Sequence, residues 1–185
     1  MKAKQQISTD EASLVKGCKN NDPIAQKMLY NKYVESMMIL CLRYIVNKEE
    51  AKEVLMDGFL AFYKGIGTFT WLGDGSARAW LKKIIVNQCL MHIRKKQMVF
   101  AGSKDINQYE DKENRENVLD ALTAKEIMNM VQALPDGYRT VFNLYVFEGL
   151  NHREIGELLN ISDNTSKSQL HRARAILKEK ILQTS

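Results

Sequence analysis

Along most of this chain, apolar residues recur three and four positions apart, the spacing that lines one face of an α-helix. Over residues 24–46, Leu29, Tyr33, Met37, Leu40 and Tyr44 form one stripe, and Tyr30, Val34, Cys41 and Ile45 form a second beside it. A helix apolar over so wide an arc belongs at the centre of a bundle. Residues 48–64 predict a second helix with Ala51, Leu55, Phe59 and Phe62 facing inward and Lys52, Glu53, Met56 and Asp57 outside. The stretch GIGTFTWLGDGS, with four glycines, ends that helix, because glycine costs a helix more backbone entropy than any other residue. A third helix, over residues 77–97, is expected to bury Trp80, Ile84 and Met91.

The periodicity then stops. Residues 98–117, MVFAGSKDINQYEDKENREN, are acidic and amide-rich and predict a flexible linker. Four more helices are predicted beyond it, over 118–133, 136–148, 152–159 and 163–181. Pro135 starts one of them, where its fixed φ and missing N–H cost nothing. The fold class is therefore all-α: two small helical domains, 1–97 and 118–185, joined by the linker.

Within EGLNHREIGELLNISDNTSKSQLHRAR, Ile155, Leu158 and Leu159 make a short apolar face and Ile161 occupies a three-residue turn. Ser166, Leu170, Ala173 and Leu177 line the inner side of the next helix. That pattern is a helix-turn-helix. Gly156 fits where the two helices approach closely, and Ser162 is placed to cap the second by accepting from its first-turn N–H groups.

Composition narrows what such a fold is for. With 45% hydrophobic residues, the 185-residue chain can build real cores, and Gly (10) and Pro (2) are scarce. Its net charge of +5 is uneven: residues 1–98 carry 16 basic and 9 acidic side chains, 99–118 carry 3 and 5, and 119–185 carry 8 of each. Arg78, Lys82, Lys83, Arg94, Lys95 and Lys96 follow one another without an acid, and Lys167 to Lys180 hold five basic residues against Glu179. Two separate basic helices suggest two contacts with one polyanion. Cys18, Cys41 and Cys89 are odd in number and form no Cys-x-x-Cys pair, as expected for reduced thiols in the cytoplasm. Cys89 with His92 is the nearest approach to a metal half-site, and two ligands do not make a zinc centre. No phosphate loop, paired carboxylate motif or activated nucleophile appears, so neither an enzyme nor a cofactor is expected. The longest apolar run, MMILCLRYIV, is half a membrane span and contains Arg43, so neither a signal peptide nor membrane insertion is expected.

The opening of the last helix is chemically specific. Asn164, Thr165, Lys167 and Ser168 are small or hydrogen-bonding side chains that let a helix enter a major groove and reach base edges. His171, Arg172 and Arg174 lie one turn further, where the groove wall offers phosphates. On the helix of residues 77–97, Lys83, Asn87 and Arg94 share a face, with Lys82 beside them, placing an amide among cations where a strand would run.

The stretch from Leu134 to Glu179 resembles region 4 of the RNA polymerase sigma factors, sigma-70 family, extracytoplasmic-function group. The resemblance rests on Leu-Pro at 134–135, Arg139, Glu148-Gly149, Glu154-Ile155 and Thr165-x-Lys-Ser-x-Leu-x-Arg-Ala-Arg. DPIAQKMLYNKYV, EAKEVLMDGFLAFYKGI and AWLKKIIVNQCLMHIRKK resemble region 2 of the same family, in the same order along the chain. The resemblance implies a transcription initiation factor that binds core RNA polymerase, recognises a two-part promoter and assists its melting. In the family, the second helix of region 2 docks on the polymerase clamp; Glu53, Met56, Asp57 and Phe59 match those positions, with Met56 where the usual residue is Gln and Phe59 readable as core or contact. The glycine-rich loop from Thr68 to Ser76 matches the loop that captures a flipped base. There Trp71 either stacks on that base or closes over the core. An anti-sigma protein, often membrane-bound, is implied as a partner. The rival reading is a helix-turn-helix regulator that binds DNA without polymerase.

Overall fold

The computed structural model describes residues 10–101 and 123–184, and the chain divides into two compact units at Arg94/Lys95. Among the described residues all regular structure is helical. The first unit holds α1 (Glu11–Lys19), α2 (Pro23–Tyr44), α3 (Lys48–Gly65), a 3-10 turn (Ile66–Thr68) and α4, which runs from Ser76 to Ala101 and so passes residue 97. Short polar side chains start the first three helices: Asp10 accepts from the N–H of Ser13 at 2.9 Å, Asp22 from Ile24 at 2.9 Å, and Asn47 from Glu49 and Glu50 at 2.9 and 3.1 Å.

α2 buries its first predicted stripe, Leu29, Tyr33, Met37, Leu40 and Tyr44, and Cys41 of the second, whose Tyr30 and Val34 are only half-buried. Its partner α3 buries Ala51, Val54, Leu55, Gly58, Phe59 and Phe62. Removing Leu29, Phe59 or Phe62 from water is worth about 1.5–3 kcal/mol each. Gly58 lets α3 and α4 close on one another, since a Cβ there would lie 2.6 Å from Ile85 Cγ1. The inward face of α4 differs from expectation. Ala77, Leu81, Ile85, Val86, Cys89 and Leu90 are buried, Trp80 and Ile84 are only half-buried, and Met91 is 59% exposed. So many positions of this helix are apolar that three adjacent stripes fit a 3.6-residue period, and contact with Gly58 selects the one through Ile85.

The second unit comprises α5 (Ala124–Gln132), α6 (Asp136–Val146), α7 (His152–Leu159) and α8 (Asp163–Thr184). The expected linker beyond Ala101 and the start expected at 118 lie outside the described residues. Thr123 and Glu126 form a capping box at α5, and Asn151 and Glu154 form another at α7. Pro135 stands at the cap position of α6. Arg139 is buried yet fully engaged, donating to the carbonyls of Gln132 and Leu134 at 3.1 and 2.7 Å and pairing with Asp136 at 2.5 Å. It ties the α5–α6 corner together.

Candidate nucleic-acid interface

Backbone geometry makes α7 and α8 a helix-turn-helix. Asn160 takes the left-handed conformation, φ 56°, and the N–H of Ile161 returns to the carbonyl of Gly156 at 3.0 Å. A Cβ at Gly156 would lie 2.7 Å from the Ile161 carbonyl oxygen and 3.3 Å from Asp163 Oδ1, so the close approach is to the turn and not to the body of α8. Ser162 Oγ accepts from the N–H of Thr165 at 3.0 Å and starts α8.

Ser166, Leu170 and Ala173 are buried. That orientation leaves Asn164, Lys167, Ser168, His171, Arg172 and Arg174 exposed, with Thr165 half-buried. Thr165 Oγ1 meets Ser162 Oγ at 2.9 Å, and Ser168 Oγ donates to the Thr165 carbonyl at 2.9 Å. Two cations are oriented by neighbouring aromatics: Arg172 donates to Tyr138 Oη at 3.4 Å, and the Arg174 guanidinium lies 5.5 Å from the centre of the Tyr145 ring. Tyr145 stacks on His152, whose Nδ1 is 2.9 Å from Ser166 Oγ. Tyr138, Tyr145 and His152 therefore support the α8 surface, although their spacing in the sequence carries no sign of it.

In the first unit, Lys83, Asn87 and Arg94 are exposed on α4 and Lys82 is half-buried. The loop before α4 presents Trp71, 40% exposed, and Leu72, 83% exposed. The ring that closes over the aromatic core is Trp80, which stacks on Phe69 and packs against Phe62 with ring centres 4.8 Å apart in both cases. The loop is tied down at several points. Lys19 Nζ donates to the Phe69 carbonyl at 2.6 Å, and the Leu72 N–H donates to Ser76 Oγ at 3.2 Å. Glu11, only 4% exposed, accepts from the N–H groups of Gly75, Ala77 (3.0 Å) and Arg78 (3.3 Å). Burial and then the adjacent Glu11 carboxylate hold the Tyr33 hydroxyl well above its usual pKa. Neither α1 nor Glu11 was expected from the sequence.

On α3, Glu53, Met56 and Asp57 are exposed together, with Met56 49% accessible and its Sδ 3.9 Å from Tyr30 Oη. Phe59 does not belong with them. It is 2% exposed and packs on Tyr30 at 4.7 Å, so it is core; the exposed apolar residue next along that face is Leu60. Burial, then the Asp22 carboxylate, pushes the Cys18 thiol up to about 11. A hydrogen bond with Cys41 followed by burial holds Cys89 well above its ordinary value. Cys89 and His92 turn to different partners, the latter to Glu50 at 2.9 Å.

The profile of Sigma-70 region 2 matches residues 29–98, and that of Sigma-70 region 4 matches residues 124–177. The ECF RNA polymerase sigma factor SigW of Bacillus subtilis is 31% identical over 90% of this chain and 94% of its own. The RNA polymerase sigma-H factor of Pseudomonas aeruginosa is 26% identical over 94% of each. Among solved structures, CnrH in complex with the cytosolic domain of CnrY superposes with a TM-score of 0.51 at 18% identity, covering 96% of this chain and 100% of that one. The sigma factor RpoE of Bartonella quintana, in complex with the anti-sigma factor NepR, gives 0.51 at 17% identity over 83% and 94%. These two likenesses bear on the fold.

Proposed function

Because the chain belongs to the extracytoplasmic-function RNA polymerase sigma factors of the sigma-70 family, initiation factors that confer promoter recognition on core polymerase, we propose how its surfaces divide that work. The observation that carries the reading is the orientation of α8. Burial of Ser166, Leu170 and Ala173 turns an uninterrupted polar and basic face outward from a helix-turn-helix. Asn164, Thr165, Lys167 and Ser168 read the upstream element in the major groove, while His171, Arg172 and Arg174, one turn further on, meet its phosphates. In the first unit, Lys82, Lys83, Asn87 and Arg94 hold the start-proximal element, and Trp71 stacks on a base displaced from its non-template strand. Glu53, Met56 and Asp57 dock on core polymerase; Met56, half-exposed beside Leu60, makes an apolar contact where an amide would have made hydrogen bonds.

Chemistry is left to the polymerase in this reading, and the factor supplies binding alone, in the cytoplasm. No described helix is long and apolar enough to cross a membrane. A protein antagonist, an anti-sigma factor, regulates it by covering these same surfaces; of the two similar structures, that of RpoE holds the anti-sigma factor NepR and that of CnrH holds the cytosolic domain of CnrY. A mobility-shift experiment on promoter DNA, with and without core polymerase, separates this account from a self-sufficient regulator. Sequence-specific retention should require core. Equal specificity from the factor alone would favour the regulator.

A further inference from the structure

Six of the described helices begin on a local cap: Asp10, Asp22, Asn47, Thr123, Asn151 and Ser162 each accept from their own first turn. The helix that carries the start-proximal contacts has no such cap. The residue before α4 is Gly75, with φ +86°, and Gly73 two residues earlier has φ +114°. Both lie in the region that side chains disfavour. The shape of the loop thus requires residues without side chains where a capping oxygen would sit, and the oxygen comes from Glu11, 64 residues earlier, whose carboxylate accepts from Gly75, Ala77 and Arg78. A carboxylate removed from water this completely is stable only when its oxygens are satisfied, and the helix N-terminus supplies both donors and a favourable dipole.

The same short helix holds the other end of the loop. Lys19, at the last position of α1, donates to the Phe69 carbonyl. Between the two ties, residues 70–74 are exposed or nearly so and carry Trp71 and Leu72 at the tip. The region 2 profile begins at residue 29, so α1 lies outside it.

We propose that α1 is a positioning element for promoter melting, in which Glu11 and Lys19 hold the two ends of the 69–75 loop so that Trp71 and Leu72 meet the displaced strand in a fixed geometry. The inference rests on the reading of that loop as the strand-capturing element. Glu11 is a positioning residue; it touches no nucleic acid. A site whose supporting groups are loosened is present but out of place, so loss of the tie should slow melting without weakening attachment to polymerase.

The test uses reconstituted holoenzyme and a duplex promoter with 2-aminopurine in the non-template strand of the start-proximal element. Core affinity and run-off from a pre-melted copy of the promoter are measured in parallel. Glu11→Gln should slow the fluorescence rise by about tenfold, the effect of one charge-assisted hydrogen bond, with core affinity and transcription from the pre-melted template unchanged. Lys19→Met acts at the opposite, exposed end of the loop and should shift the rate in the same direction; it carries the test if Glu11→Gln does not fold. A plain stability role for α1 would instead lower core affinity and pre-melted transcription together with melting, and that result overturns the proposal. Trp71→Ala separates the two layers. Normal melting by Trp71→Ala removes the strand-capture reading and this inference with it. Slow melting by Trp71→Ala beside normal melting by both Glu11→Gln and Lys19→Met overturns the positioning role alone.

Discussion

Lys167 and Arg174 stand two turns apart on α8 and differ in what surrounds them. Lys167 extends into solvent at the start of the helix, whereas the Arg174 guanidinium lies across the Tyr145 ring. If the first reaches base edges and the second holds a phosphate, Lys167→Ala should cost about 1–3 kcal/mol at the cognate upstream element and relax its base preference. Arg174→Ala should weaken all upstream sequences alike and lower the salt slope of binding by about one. Holoenzyme affinity across single-base variants at two salt concentrations reads both, and identical losses on every sequence would contradict the division. Exposed residues of this kind were legible in the sequence because their chemistry is unusual for a solvated helix. Two side chains owe their roles to packing that local sequence does not decide. Phe59 matches a docking position by order along the chain, yet the α2 packing that buries it against Tyr30 decides its role. Glu11 looks like an ordinary first-turn acid of a short helix, and nothing local signals that its partners lie beyond residue 74.

Among the elements, the α7–α8 pair was the most readable, because its caps, its turn and its glycine are all local features. Its glycine also gives a sharp test. Alanine for glycine inside a helix ordinarily stabilises by about 0.5–1 kcal/mol. At Gly156 the added Cβ would lie 2.7 Å from the Ile161 carbonyl oxygen, a backbone atom that cannot step aside, and such overpacking costs about 1–3 kcal/mol. The second effect wins, so Gly156→Ala should lower the melting temperature of the protein and weaken upstream-element binding; a rise in melting temperature would show that the turn can yield. Less legible was α4. With apolar residues on several neighbouring stripes, its sequence allows more than one inward face, and the choice depends on where α3 offers the notch at Gly58. The nine-residue α1 was missed because only Leu14, Val15 and Cys18 mark its buried side, too few for a periodic signal.

At the scale of the whole molecule, the division into two helical units and the uneven distribution of charge were visible in the sequence, because both are sums over many residues and tolerate local error. In the reading proposed above, α3 holds core polymerase while a separate basic helix in each unit meets promoter DNA. The most direct measurement of that account is run-off transcription with purified core polymerase and this protein, on templates carrying both promoter elements or only one. The account expects a discrete transcript only when core, factor and both elements are present. It also expects loss of that transcript with Asp57→Arg, whose melting curve should stay close to wild type because exposed substitutions move stability by only about 0.5 kcal/mol. Specific DNA binding by the factor alone, with no transcript from any template in the presence of core, would contradict it.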